Sequence, residues 1–276
     1  MFTLNCKGKL LVLDSPRVMG VLNITPDSFY KESRFTDSDA ILRQIEKMLM
    51  EGAFIIDVGG QSTRPGSKSI SAEEEAKRVV PAIEIISKTF PEIIISIDTY
   101  YSKVAKQAIE AGASIVNDIS AGEIDPAMIP TVATLQTPYI CMHMKGTPDT
   151  MQQYATYEDV GKEVLDYFIH KTAQCIAAGI KDIIIDPGFG FSKTIQHNFQ
   201  LLKKISILKI MNKPLLVGLS RKSTIYKTLN TTADMALNGT TVLNTIALLN
   251  GANILRVHDV KEALEAIKLY NAYYEA

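Results

Sequence analysis

Short β-branched apolar runs alternate along the chain with longer stretches in which apolar residues recur at helical spacing. The runs are VMGVLNI (18–24), FIIDVGG (54–60), IIISIDT (93–99), SIVNDIS (114–120), YICMHM (139–144), DIIIDPG (182–188), PLLVGLS (214–220) and NILRVHD (253–259). Between them lie patterns such as SDAILRQIEKMLMEG, SAEEEAKRVVPAIEIISKTF, YEDVGKEVLDYFIHKTAQCIAAG and ADMALNGTTVLNTIALLNGA. These have polar or Ser/Asp starts and often a terminal Gly suited to a helix C-cap. Eight strand–helix units imply parallel strands joined by crossovers, an α/β fold. The count matches a (β/α)8 TIM barrel better than an open doubly wound sheet. The opening CKGKLLVLDSP predicts a short N-terminal β-hairpin that plugs the N-terminal mouth, and VKEALEAIKLYNAYYE closes the helix ring. No linker or low-complexity tract interrupts the alternation, so a single domain over 1–276 is expected.

Almost every run ends in a polar or charged residue: Asn23, Asp57, Asp98, Asn117, His143 and Asp186, then Arg256 and His258. In a parallel barrel all strand C-termini open on one face, where active sites sit. One such residue reads as a strand-end cap. Their recurrence along the chain predicts a convergent polar site.

Composition narrows the classes. The chain has 276 residues, 46% hydrophobic and 21% charged, with a formal net charge of −1. That balance argues against nucleic-acid or membrane-surface binding, which needs a basic face. Cys6, Cys141 and Cys175 have no CxxC spacing and are expected as reduced thiols of a cytoplasmic protein. No run approaches the ~18 apolar residues of a membrane span, and the first residues lack the long apolar segment of a signal peptide.

Three stretches carry candidate chemistry. GGQSTRPGSKSIS follows the second strand and is longer than an ordinary βα loop, which suits a lid or binding loop with Thr63 and Arg64 on it. GLSRKST (218–224) follows strand seven, where Lys222 and Ser223 meet the start of a helix and its anion-binding N–H groups. In LRVHD, Arg256 and His258 stand two apart and share one side of the strand, as an anion clamp would require. A G-x-S-x-G elbow, zinc-ligand spacing and G-x-G-x-x-G are all absent from the sequence. Asp98, Asn117 and Asp186 are acceptor-rich and suit a flat heterocycle presenting N–H donors, since an ionised carboxylate accepts two parallel N–H bonds. Arg64, Arg256, His258 and a metal near Asn23 suit a phosphate or diphosphate.

VLNITPDSF, DVGGQSTRPG, SIDT, VNDIS, DPGFGF, GLSRKS and RVHDV occur in the order found in dihydropteroate synthases, and the resemblance spans residues 18–260. That family joins 6-hydroxymethyl-7,8-dihydropterin diphosphate to p-aminobenzoate, releasing diphosphate and forming 7,8-dihydropteroate for folate synthesis. It is the target class of sulfonamides. The resemblance implies a pterin pocket of Asp98, Asn117, Asp186, Met142 packed on the ring, and Lys222. It implies Asn23 as ligand of a Mg2+ cofactor and Thr63, Arg64, Arg256 and His258 as the diphosphate grip. Ser223 would take the p-aminobenzoate carboxylate, with Phe29, Thr63, Pro65 and Phe191 walling that slot; Asp57 lies at the mouth with an open role. A homodimer through the late helices is also implied.

The expected chemistry is SN1-like departure of diphosphate, with closed loops excluding water. The sequence departs from the family pattern in two places. YKESRF stands where the family commonly has Gly-Gly, and Gln61 stands where Glu is usual. A pterin-binding methyltransferase domain serving a corrinoid protein would keep the three pterin acceptors but needs no diphosphate clamp. A non-catalytic pterin-binding paralogue is the alternative outside enzymes.

Overall fold

The computed structural model describes residues 1–24, 34–62 and 69–276. An antiparallel hairpin, β1 (Phe2–Cys6) and β2 (Lys9–Leu13), precedes the barrel strands. These are β3 (Arg17–Asn23), β4 (Ile55–Gly59), β5 (Ile94–Asp98), β6 (Ile115–Asp118), β7 (Tyr139–Met142), β8 (Ile183–Asp186), β9 (Leu216–Val217) and β10 (Ile254–Val257). They form one parallel sheet in the order β8-β7-β6-β5-β4-β3-β10-β9. A bridge between Ile185 and Leu215 brings its two ends together, and Ile185 N–H donates to the Pro214 carbonyl at 3.0 Å. The expected (β/α)8 barrel with its hairpin is therefore present. The seventh strand is shorter than the apolar run PLLVGLS suggests, because only Leu216 and Val217 pair as a strand.

Nine α-helices surround the strands among the described residues: α1 (Arg34–Met50), α2 (Ala72–Thr89), α3 (Ser102–Glu110), α4 (Met128–Leu135), α5 (Val160–Ala177), α6 (Ile195–Lys204), α7 (Ser223–Thr228), α8 (Leu237–Leu249) and α9 (Val260–Glu275). Side-chain caps begin several of them. Ser71 accepts from Glu74 N–H, Asp159 from Gly161 and Lys162, and Thr194 from His197. Each cap satisfies an otherwise orphaned amide and contributes about 1 kcal/mol. No helix among the described residues is long and apolar enough to cross a membrane.

Strand alternation divides the core in two. Outward residues such as Ile56, Val58, Ile95, Ile97, Val116 and Ile185 pack under the helices. Inward residues at the strand starts, Met19, Ile55, Ile94, Ile115, Ile140, Ile184, Leu216 and Ile254, form a separate apolar floor. Leu4, Cys6, Leu11 and Leu13 of the hairpin cover that floor. The hairpin turns at Lys7 and Gly8, both with positive φ, the pairing that matches the twist of a two-residue turn. Asn5 N–H donates to Asp182 at 2.8 Å, fixing the hairpin to the start of β8. The N-terminal mouth is thus sealed by apolar contact, and polar chemistry is left to the opposite end.

Candidate active site

The same alternation that puts isoleucines on the floor puts Asp57, Ser96, Asp98, Asn117, Met142, Asp186 and Arg256 inside the barrel, two or four residues nearer the C-terminal mouth. All but Arg256, which is partly exposed, are buried. Arg256 organises them. Its Nε donates to Asp57 Oδ2 at 2.6 Å and its Nη2 to Asp98 Oδ2 at 2.6 Å. Asn117 Nδ2 donates to the same Asp57 oxygen at 3.0 Å. Asp57, whose role the sequence leaves open, is fully buried and anchors both Arg256 and Asn117.

Burial pushes the Asp98 carboxyl up to about 7, against the pull of the Arg256 guanidinium and with the help of Asp57, Asp118 and Asp186. Burial likewise raises Asp186, which Lys222 and the Gly188 amide oppose. Lys222 is pulled down to about 8 by burial, Asp186 holding it up and Arg256 pressing it down. Acids raised and a base lowered together at one end of a barrel mark a desolvated functional-site candidate.

Lys222 reaches in from the loop before α7. Its Nζ donates to the Phe189 carbonyl and lies 4.8 Å above the Phe191 ring. Ser223 begins α7, half-buried, as the loop sequence predicts, although this helix spans only six residues. His258 is exposed at the mouth, where its Nδ1 pairs with Ser220 Oγ at 3.0 Å. Arg221 forms a two-bond ion pair with Asp259, each contact 2.8 Å. The Lys222 loop and the His258 end are therefore tied by two adjacent links, and Arg221 and Asp259 were not legible as a pair in sequence.

Asn23 is exposed at the end of β3, and Gly59 lies beside it. A methyl group built on Gly59 would stand 3.5 Å from Asn23 Oδ1 and 3.7 Å from Asp98 Oδ2. The missing side chain leaves the space between Asn23 and Asp98 open at the mouth. No cluster of three or more His, Cys, Asp or Glu side chains that could hold a metal occurs among the described residues. An exposed amide oxygen such as Asn23 Oδ1 fits a hard ion completed by water and phosphate, the usual mode for Mg2+, and not an all-protein cage.

An apolar wall stands beside the acceptors. Met142, Ile119, Tyr100, Met144 and Met151 are buried together, with Phe191 packed against them. Ile119 was missed by sequence reasoning, though it shares the parity of Asn117 and could have been found that way. His143 is the exception among the strand-end polar residues. Its parity turns it outward, where its ring packs edge-on to Tyr167 of α5 and its Nδ1 meets Lys193 Nζ at 2.9 Å. Asp118 also faces out, accepting from Ser120, Gly122 and Tyr139 to shape the β6 loop. Gln61 is buried and accepts from the Tyr100 hydroxyl at 2.9 Å. Phe29, Thr63, Arg64 and Pro65 lie outside the described residues, as do most of YKESRF and the start of the loop that carries Phe29.

An acceptor-lined barrel interior with cations at its mouth is the architecture of a pterin binding enzyme, and that family matches residues 19–258. A dihydropteroate synthase of Escherichia coli K12 is 43% identical over 272 residues, covering 98% of this chain and 96% of its own. The Haemophilus influenzae dihydropteroate synthase is 42% identical over 271 residues, covering 98% of each. The Yersinia pestis dihydropteroate synthase structure with a sulfonamide drug complex superposes with a TM-score of 0.93 at 40% identity, over the full length of both chains. A Xanthomonas albilineans dihydropteroate synthase in complex with 7,8-dihydropteroate gives a TM-score of 0.89 at 33% identity, again over both full chains. The chain belongs to the dihydropteroate synthases of the pterin binding enzyme family.

Proposed function

We propose that the barrel holds 6-hydroxymethyl-7,8-dihydropterin diphosphate, ring inward, and joins it to p-aminobenzoate at the mouth by SN1-like substitution. The observation that carries this reading is the inward convergence of Asp98, Asn117 and Asp186 beneath Lys222 and Arg256. Carboxylates and an amide oxygen accept the N–H groups of the pterin edge, while Met142 and Ile119 cover a ring face. Lys222 donates to the ring from above, close to Asp186.

The bond that breaks joins the pterin methylene to a diphosphate oxygen, and the electron pair leaves with that oxygen. Arg256 and His258, together with Thr63 and Arg64, grip the departing anion, so cations face charge as it develops. The electron-rich pterin spreads the positive charge left on the methylene. The amine lone pair of p-aminobenzoate then forms the new C–N bond, and an N–H proton is lost to solvent. The nucleophile is neutral already, so no strong base is needed. Ser223 accepts the benzoate carboxylate, with Phe191, Phe29 and Pro65 along the ring. Asn23 would be the protein ligand of Mg2+, which supplies shielding of the leaving diphosphate.

The site test is direct. Protein, dihydropterin diphosphate and Mg2+ are mixed with and without p-aminobenzoate, and diphosphate and dihydropteroate are measured. Dihydropteroate formed only with p-aminobenzoate is the expected result. A folded protein that forms none overturns the reading.

We place the enzyme in the cytoplasm as a homodimer. In support of the dimer, Val242, Leu249, Leu269 and Tyr273 expose apolar surface along the neighbouring helices α8 and α9, and contiguous apolar surface marks protein contacts. Sedimentation velocity should show a dimer that Leu269→Glu converts to monomer.

A further inference from the structure

Lys193 is 3% exposed. Its Nζ stands 2.9 Å from His143 Nδ1, 3.1 Å from the Gly188 carbonyl and 3.1 Å from the Phe191 carbonyl. The His143 carbonyl is more distant, at 3.4 Å. Two of these acceptors are the ends of one turn, Gly188 to Phe191, which closes on itself through Phe191 N–H to the Gly188 carbonyl at 3.1 Å.

That turn is held from two sides. Lys222 binds the Phe189 carbonyl from the barrel mouth, while Lys193 binds the Gly188 and Phe191 carbonyls from behind. Its amides are equally committed: Gly188 N–H to Asp186 Oδ1 at 2.8 Å, Gly190 N–H to Asn198 Oδ1 at 2.8 Å. There is no slack against β7 either. A methyl group on Gly188, whose φ is +69, would meet the His143 carbonyl oxygen at 2.1 Å. The turn sends Phe189 into the core and Phe191 toward the mouth wall of Met142 and Ile119.

A buried lysine needs a strong reason to stay buried. Burial draws its proton affinity far down and only Asp186 opposes this, Lys222 and Lys145 adding to the loss. The arrangement with His143 meets that difficulty. With the proton on Lys193, three N–H bonds serve the imidazole nitrogen and the two carbonyls. With the proton on His143 Nδ1, the amine accepts it and still has two N–H groups for the carbonyls. Both carbonyl bonds survive either way.

We propose that Lys193, seated on His143, is a positioning residue for the aryl-amine slot, setting the height of the Gly188–Phe191 turn and so the place of the Phe191 ring. This rests on the synthase reading given above. The pterin acceptors Asp98, Asn117 and Asp186 stand on strands, and among them Asp186 alone touches the turn, through the Gly188 amide. Loss of the lysine therefore acts on one substrate more than the other.

The experiment is a two-substrate kinetic comparison of wild type, Lys193→Met, His143→Leu and His143→Gln, with thermal melts of each. Wild type must make dihydropteroate; if it does not, the synthase reading itself fails. Lys193→Met is expected to raise KM for p-aminobenzoate at least tenfold and to leave KM for the pterin diphosphate within threefold. His143→Leu removes one acceptor from Lys193 and should show the same selective rise at smaller size. His143→Gln keeps an acceptor there and should restore near wild-type values. The histidine pair answers the question if Lys193→Met does not fold. Equal changes in both KM values, or a fall in stability and active fraction with both KM values unchanged, overturn the proposal.

Discussion

Arg256 Nη2 donates to Asp98 Oδ2 at 2.6 Å, carrying the end of β10 across the mouth to β5, two strands beyond its neighbour β3. With the second bond to Asp57, the guanidinium spends two of its five N–H groups on carboxylates. The remaining edge is available for an anion. On the proposed reading, one side chain couples the pterin acceptors to the diphosphate grip.

Arg256→Ala should reduce kcat/KM at least about 100-fold, because stabilisation of the leaving group is lost. Stability should fall by about 1–3 kcal/mol, less than for a fully buried pair, since the arginine is partly exposed and Asp98 can take up a proton. Urea titration beside the diphosphate-release assay separates the two effects. Unchanged turnover would remove Arg256 from the grip.

The contribution of the buried carboxyls Asp98 and Glu75 to ligand-free stability should decrease with rising pH through neutrality. Asp98 and Glu75, the latter buried in α2 and accepting from the Thr99 hydroxyl at 2.7 Å, are both pushed up to about 7 chiefly by burial and bind more protons folded than unfolded between about pH 4 and 7. Their stabilising contribution is full below the unfolded value and is lost as pH rises through about 7. Melting temperature measured from pH 5 to 8 should shift in favour of Asp98→Asn over wild type as pH rises, because the variant has no carboxyl to lose its proton.

Pterin binding should run the other way on the acid side. The Asp98 carboxylate must be ionised to accept N–H donors, so affinity is expected to rise as pH passes about 7. Lys222, pulled down to about 8 by burial, must keep its proton, so affinity falls again above about 8. A bell-shaped profile of kcat/KM belongs to the coupled group and not to one residue. Lys222→Met should erase the alkaline limb at greatly reduced activity.

Leu11→Ala in the hairpin should cost about 2–5 kcal/mol by opening a cavity over the barrel floor, where Leu11 is fully buried. Specific activity of the folded fraction should stay within twofold, because the floor lies at the opposite end from Arg256. Chemical denaturation and initial-rate assays check both halves of the expectation.

Much of the architecture was legible in the chain itself. Eight apolar runs separated by helical patterns define strand count, parallel direction and hairpin, since both periodicities come from backbone geometry that every sequence obeys. Parity within a strand also places Asp98, Asn117 and Asp186 on one surface, and the mouth-ward drift from isoleucine to carboxylate marks which end carries chemistry. Tertiary structure alone decided which charges meet. Arg256 and Asp57 are 199 residues apart, and no local pattern reports a pairing made by barrel closure. His143 shares its strand-end position with the site residues yet belongs to the outer layer, because one residue of register reverses a side chain. Lys193 looks in sequence like an ordinary solvated lysine beside a helix start. Only the fold supplies the two carbonyls and the imidazole that make it an interior group.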